Sequence, residues 1–453
     1  MDESKAPAGP AVAAEQPKKK PRFFYGWYIV AATFFTHWLG AGVGVPNFGQ
    51  FFKPMSEELG WSRTQTTWPL AIRNVIAQLT GPIVGPLMDK YGPRYLMTVG
   101  AIIVGIGTML MSQVHSMWQF ILYFSVIGAI GNAGLSGIVT NTALAQWFVR
   151  MRGRATGISA TGINFGEVVM TPLAFFLIES MGWRSAWIVL GLLPWIVVVP
   201  TAWIWMRRAP EDMGLRPDGD PPPQDGVARE SARPGRGHIA TEEHSWTPKA
   251  AFKSPALWLI MVSTTLASIS VSGVVTHQIP YMTDKGFSPG IAAFVLSTYA
   301  ACAIPSKLVW GFLSERVHIR YLTAASLLGS AVGLLILINA DSVWKVFLFG
   351  VVYGSTRGAW SVVTSLVWAN YFGRHFLGTI RGLSQPFNVL SSVGGPIFAA
   401  MVYDETGSYI FAFSIFVGTY VMGATLILLA KPGKPPEAEA QHTPQPAPAS
   451  AGH

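Results

Sequence analysis

Twelve apolar stretches, most of them separated by short polar loops, constrain this chain more than any other feature. They fall near 26–52, 65–88, 95–113, 117–146, 155–179 and 185–206, then near 255–282, 289–313, 320–340, 344–371, 379–403 and 409–430. A helix of about 20 apolar residues crosses the ~30 Å hydrocarbon layer. The pattern therefore predicts an all-α polytopic membrane protein with twelve transmembrane helices. Only 12% of the residues are charged and 50% are hydrophobic, whereas a soluble domain carries about 25% charged residues.

The polar segments divide the chain into a tail at 1–22, a six-helix half at 23–206, a linker at 207–252, a second half at 253–430 and a tail at 431–453. Both tails are rich in Pro and Ala and read as disordered. The linker, with Pro221-Pro222-Pro223 and many charges, reads as a connection and not a domain. Of 32 Lys and Arg, 24 fall on the side of the two termini and 5 on the other (Lys53, Arg63, Arg184, Lys285 and Lys345). Basic loops stay inside, so both termini are expected in the cytoplasm. The net charge of +9 follows from this topology, with no nucleic-acid-binding face. The first stretch is preceded by a polar tail and not by a secretory leader. The lone Cys302 excludes an internal disulfide.

The halves echo each other. Gly85-x-x-x-Asp89 ends the second stretch and Gly311-x-x-x-Glu315 the eighth, while Trp147-Phe148-x-Arg150 leaves the fourth and Tyr371-Phe372-x-Arg374 the tenth. Two parallel pseudo-symmetric halves around a midplane site are a transporter architecture. The segment Gly85-Pro86-Leu87-Met88-Asp89-Lys90-Tyr91-Gly92-Pro93-Arg94 resembles the signature between helices 2 and 3 of the major facilitator superfamily. The resemblance implies a latch on the cytoplasmic side in the outward-facing state, with Gly85, Asp89, Gly92 and Arg94 as gating residues. Gly92 permits the tight turn, and Asp89 can accept hydrogen bonds from a neighbouring helix N-terminus and from arginine.

A narrower likeness runs through Tyr25-Gly26-Trp27, then Trp147-Phe148 to Ala155-Thr156-Gly157 with Arg150, Arg152 and Arg154, then Gly162 and Gly166. It is similar to the monocarboxylate transporter family and its bacterial branch that includes oxalate:formate exchangers, over most of 23–430. That family places an arginine in helix 8 four residues before a glycine; here Lys307 precedes Gly311. An aspartate four residues earlier in the family is Ala303 here, and a lysine after a helix-1 proline is Asn47, after Pro46. Lysine lacks the fork that grips a carboxylate at two points.

Lys307, Arg357 and Arg73 put three cations at membrane depth against one carboxylate, Glu167. Charges there cost at least ~2.5 kcal/mol and persist where they line a cavity or pathway. A positive surplus points to an anion. For Lys307 the readings are carboxylate binding or snorkelling to the interface. For Arg357 they are cavity lining or bonding to carbonyls. Arg73 reads as an outer gate, an interfacial anchor or a substrate contact. Glu167 reads as a proton carrier or as a static partner of the cations, and His37 as a titrating cavity residue or a core histidine. Asn47 completes the substrate-site candidates.

No phosphate-binding loop, metal-ligand spacing or catalytic constellation is present, so no enzyme activity, metal or cofactor is expected. The chain is expected to be a bacterial inner-membrane secondary transporter of a small organic anion, of the monocarboxylate class, moved with protons. Anion exchange, drug efflux and anion sensing are the alternatives.

Overall fold

In hydrocarbon every backbone N–H needs an acceptor within its own segment, which leaves the helix as the local solution for each apolar stretch. The computed structural model describes residues 23–43, 45–61, 63–220 and 246–433. Among them are helices and turns but no strand, and nine helices are long and apolar enough to cross a membrane. Nine differs from twelve for two reasons. The stretches at 155–179 and 185–206 share the run Arg152–Trp205, broken at Gly182 (φ 79°). The first two stretches are each divided into shorter helices: Gly26–Val43 with Val45–Leu59, and Arg63–Leu79 with Gly81–Tyr91. The 1–22 tail, nearly all of the 431–453 tail and the 221–245 part of the linker lie outside the described residues.

Two apolar cores form. One runs from Ile29 to Met206, and the other from Trp246 to Ala430 with Ala145 added. Two interruptions matter for the site. In the fourth stretch, Ile121–Ile127 is a π-helix, which leaves carbonyls for side chains. The eleventh stretch is split into Leu377–Ser384 and Phe387–Thr406. Pro386, which lacks an N–H, stands at that junction.

The start of the linker is docked. Asp218, its side chain 2% exposed, accepts hydrogen bonds from the backbone N–H of Val149 (3.1 Å), Arg150 (2.8 Å) and Met151 (3.1 Å). It thereby holds the turn between the fourth and fifth stretches. Glu211 pairs with Arg374 of the other half at 2.7 Å.

Candidate functional site

Where the linker leaves the bundle, the two halves meet in a tight seam. Gly85 faces the Gly378 carbonyl so closely that a Cβ would lie 2.2 Å from its oxygen. That approach brings Asp89 over the first turn of Leu377–Ser384. Its carboxylate accepts from the backbone N–H of Gly378 (3.0 Å) and from the N–H and Oγ1 of Thr379 (both 2.7 Å). Free N–H groups and the helix dipole favour an anion there.

The pseudo-symmetric counterpart does the same in reverse. Gly311 and Gly153 are in backbone contact. Glu315 accepts from the backbone N–H of Arg154 (3.0 Å) and from its Nε (2.9 Å), at the start of the Arg152–Leu193 helix. Each half therefore supplies the acid that caps a helix of the other. Gly92, at φ 76°, makes the expected turn. Arg94 does not reach Asp89 as the motif suggests: its guanidinium stacks on Trp203 at 4.0 Å. The arginine beside Asp89 is Arg208, which donates to the Asp89 carbonyl at 2.7 Å.

Above this seam, in the middle of the bundle, three of the membrane-depth charges meet, with Glu167 and Arg357 both within electrostatic reach of Lys307. Lys307 lies on Pro289–Leu313 and is 5% exposed. Its ammonium donates across the interface to the Ala160 carbonyl (2.9 Å) and to Oδ1 of Asn164. Glu167, half-buried on the same helix as Asn164, is close enough to act on the charge of Lys307, as is Arg357, and His37 lies within reach of the Lys307 charge. Gly358 lets Val343–Phe372 sit directly on the Ala303 carbonyl, where a Cβ would lie 2.5 Å away. Arg357, on that helix, faces Tyr299, and its buried Nε has no acceptor among the described residues.

Two cavities touch parts of this cluster, one at Arg357 and the other at His37. The larger, about 480 Å³, lies mainly in the second half and is lined by Arg357; Gln78 reaches it from the first half. The other, about 400 Å³, is lined by His37, Arg73, Asn132 and Asn141 of the first half and by Ser361 and Ser365 of the second. The Val343–Phe372 helix forms part of both walls, and Asn141 donates to Ser365 at 3.0 Å across the interface.

Arg73 is 6% exposed, donates to the Phe124 carbonyl of the π-helix (2.8 Å) and stacks on the Phe124 ring at 4.6 Å. It thus braces the first half as well as lining a cavity. Asn47 lies in Val45–Leu59, with its side chain outside the described residues.

Sequence reasoning missed Arg381. It is 9% exposed, lines the larger cavity and donates to the Gly137 carbonyl of the other half at 3.3 Å. Its place one turn inside an apolar stretch was the available signal, but it was counted with the loop charges.

Comparison with known proteins agrees with this architecture. Residues 29–293 and 270–452 match the family model described as Major Facilitator Superfamily. The chain is 26% identical to "Monocarboxylate transporter 13" of Rattus norvegicus, over 90% of this chain and 89% of that protein. It is 23% identical to "Monocarboxylate transporter 11" of Homo sapiens, over 92% and 85%. Among solved structures, the proton:xylose symporter XylE superposes with a TM-score of 0.64 at 14% identity, covering 88% of this chain and 94% of that one. The outward conformation of FucP gives 0.61 at 14% identity, covering 89% and 98%. The reciprocally capped halves, the charge cluster between them and the family match together make this chain a multi-pass membrane transporter of the Major Facilitator Superfamily, similar to the monocarboxylate transporters.

Proposed function

We propose that this protein carries a small organic anion of the monocarboxylate class, together with a proton, by alternating access. One observation carries the reading: Lys307 of the second half reaches across to the Ala160 carbonyl and Asn164 of the first, with Arg357 on the wall of the larger cavity. In this proposal an entering carboxylate engages Arg357, whose buried Nε lacks an acceptor, and draws Lys307 from its two acceptors on the opposite half. Protonation of Glu167, or of His37, leaves the loaded carrier without added charge. That removes a cost of about 2.3 kcal/mol per charge per 100 mV. Asp89, Glu315 and their helix partners are the gate.

In this reading both termini and the linker lie in the cytoplasm and the membrane is a bacterial inner membrane; the strong Lys/Arg bias supports the orientation. The described state, closed at the linker end, is then outward-facing. The twelve stretches act as two six-helix halves, 23–206 and 253–430, that rock about the cluster.

The test is lactate and pyruvate uptake into liposomes carrying the purified protein, with and without an inward proton gradient at zero membrane potential. Gradient-stimulated uptake, abolished by Lys307→Ala and made insensitive to the gradient by Glu167→Gln, is the expected result. Normal uptake by Lys307→Ala at normal protein level overturns the site assignment. Uptake that ignores pH but needs preloaded anion replaces symport with exchange.

A further inference from the structure

The larger cavity says more about its ligand than that it is an anion. Its walls hold two guanidinium groups, Arg357 and Arg381, and no Asp or Glu among the described residues that line it. Arg381 offers five N–H donors, of which one is given to the Gly137 carbonyl at a long 3.3 Å. The remainder lie at a wall that begins where the eleventh stretch breaks, between Ser384 and Phe387. Arg381 therefore has donors to spare.

Beside the amides of Gln78, Gln385 and Asn388, five hydroxyls of the wall have the opposite character. Thr264, Thr276, Thr364, Ser384 and Ser391 line the same cavity. Each hydroxyl proton is committed to a backbone carbonyl: Met261 (3.1 Å), Ser272 (2.9 Å), Trp360 (2.5 Å), Arg381 (2.7 Å) and Thr265 (3.1 Å) respectively. A hydroxyl whose proton is already given away presents only lone pairs. This face of the cavity is an array of acceptors, and acceptors demand donors on the ligand. An alkyl acid supplies none. Ammonium groups would supply them, but two arginines without a lining carboxylate oppose a cation. Hydroxyl groups satisfy both walls, because they donate to Ser and Thr and accept from Arg381.

The volume points the same way. About 480 Å³ lies within the range that encloses ligands of drug-like size, ~300–1,000 Å³, and a three-carbon acid leaves most of it to water.

We infer that the preferred substrate is a polyhydroxylated carboxylate of about six carbons, with its carboxylate on Arg357 and its hydroxyls spread between Arg381 and the Ser/Thr wall. This rests on the reading of the chain as an organic-anion transporter and narrows its substrate class. Arg381 acts as a specificity residue.

The experiment is competition against labelled lactate uptake in the same liposomes. The competitors are D-gluconate (charge and hydroxyls), hexanoate (charge and length without hydroxyls) and sorbitol (hydroxyls without charge). Gluconate is expected to inhibit at a concentration at least about 10-fold below hexanoate, equivalent to one or two net hydrogen bonds, with sorbitol weaker than either. Labelled gluconate should itself be taken up. Arg381→Gln, and separately Thr264→Val with Ser391→Ala, should each shrink the gluconate-to-hexanoate preference by about 10-fold or more. Lactate uptake with hexanoate equal to or better than gluconate overturns this inference while leaving anion transport standing. Absence of uptake for every acid overturns the anion-transport reading itself. A preference for gluconate unchanged in both variants removes Arg381 and the hydroxyl wall as its source.

Discussion

Replacing Asp89 by asparagine tests whether the seam is held by helix capping. The carboxylate receives three hydrogen bonds, one on Oδ1 from Gly378 and two on Oδ2 from Thr379. The amide of Asp89→Asn keeps one acceptor oxygen, and its NH₂ must face an N–H or a hydroxyl. Even in the better rotamer at least one bond to a charged acceptor is lost, ~1.5–3 kcal/mol. The charge beside the N-terminus of Leu377–Ser384 is lost as well, ~0.3–1 kcal/mol. Because Asp89 is half-exposed, we take the low end, about 2–3 kcal/mol. That raises the open population at the linker end about 30- to 150-fold. The readout is maleimide labelling of Ser314→Cys in a Cys302→Ala background, since Ser314 Oγ lies directly against Gly153 inside the seam. When reclosing is faster than labelling, the rate follows the open fraction. A labelling rate within threefold of the unmutated parent refutes the capping argument.

Three further substitutions follow from the same geometry. Gly85→Ala puts a methyl 2.2 Å from the Gly378 oxygen, so the seam cannot close; labelling should rise at least as far as with Asp89→Asn, and lactate uptake should fall to background. Glu315→Gln removes the charge of the reciprocal cap on the Arg152–Leu193 helix and leaves one acceptor oxygen, and should also speed labelling by about tenfold. A double variant with Asp89→Asn that labels no faster than either single one would show that the two caps are not separate barriers. Asp218→Asn leaves the N–H groups of Val149, Arg150 and Met151 short of acceptors. Trypsin cleavage at this turn should accelerate about tenfold, read by gel, with total protein stability little changed.

Hydropathy made the helices legible, because hydrocarbon admits no other local solution for these stretches. The repeat of Gly85/Asp89 in Gly311/Glu315 was legible too. Its meaning was not: each acid caps a helix that belongs to the opposite half and lies far away in the sequence. Arg94 shows the limit of motif reasoning. Within ten residues of sequence it is the evident partner for Asp89, yet Trp203 takes its guanidinium and Arg208 comes to Asp89 from the start of the linker. Arg73 was visible as a charge, whereas its acceptor depends on a π-helical register in another stretch. Arg381 was hidden by a boundary. Counted as a loop residue, it becomes a cavity wall because the eleventh stretch starts at Leu377 and breaks after Ser384.

Reciprocal capping also takes part of the water from both carboxylates in the closed seam. When it parts, the three N–H and hydroxyl donors on Asp89 and those on Glu315 must find water instead, so opening takes up water as it moves helices. The switch is therefore coupled to water activity. Excluded osmolytes such as sucrose, which favour buried surface, should hold the linker end shut, and under the proposed cycle a cell losing water would slow transport with no change in substrate.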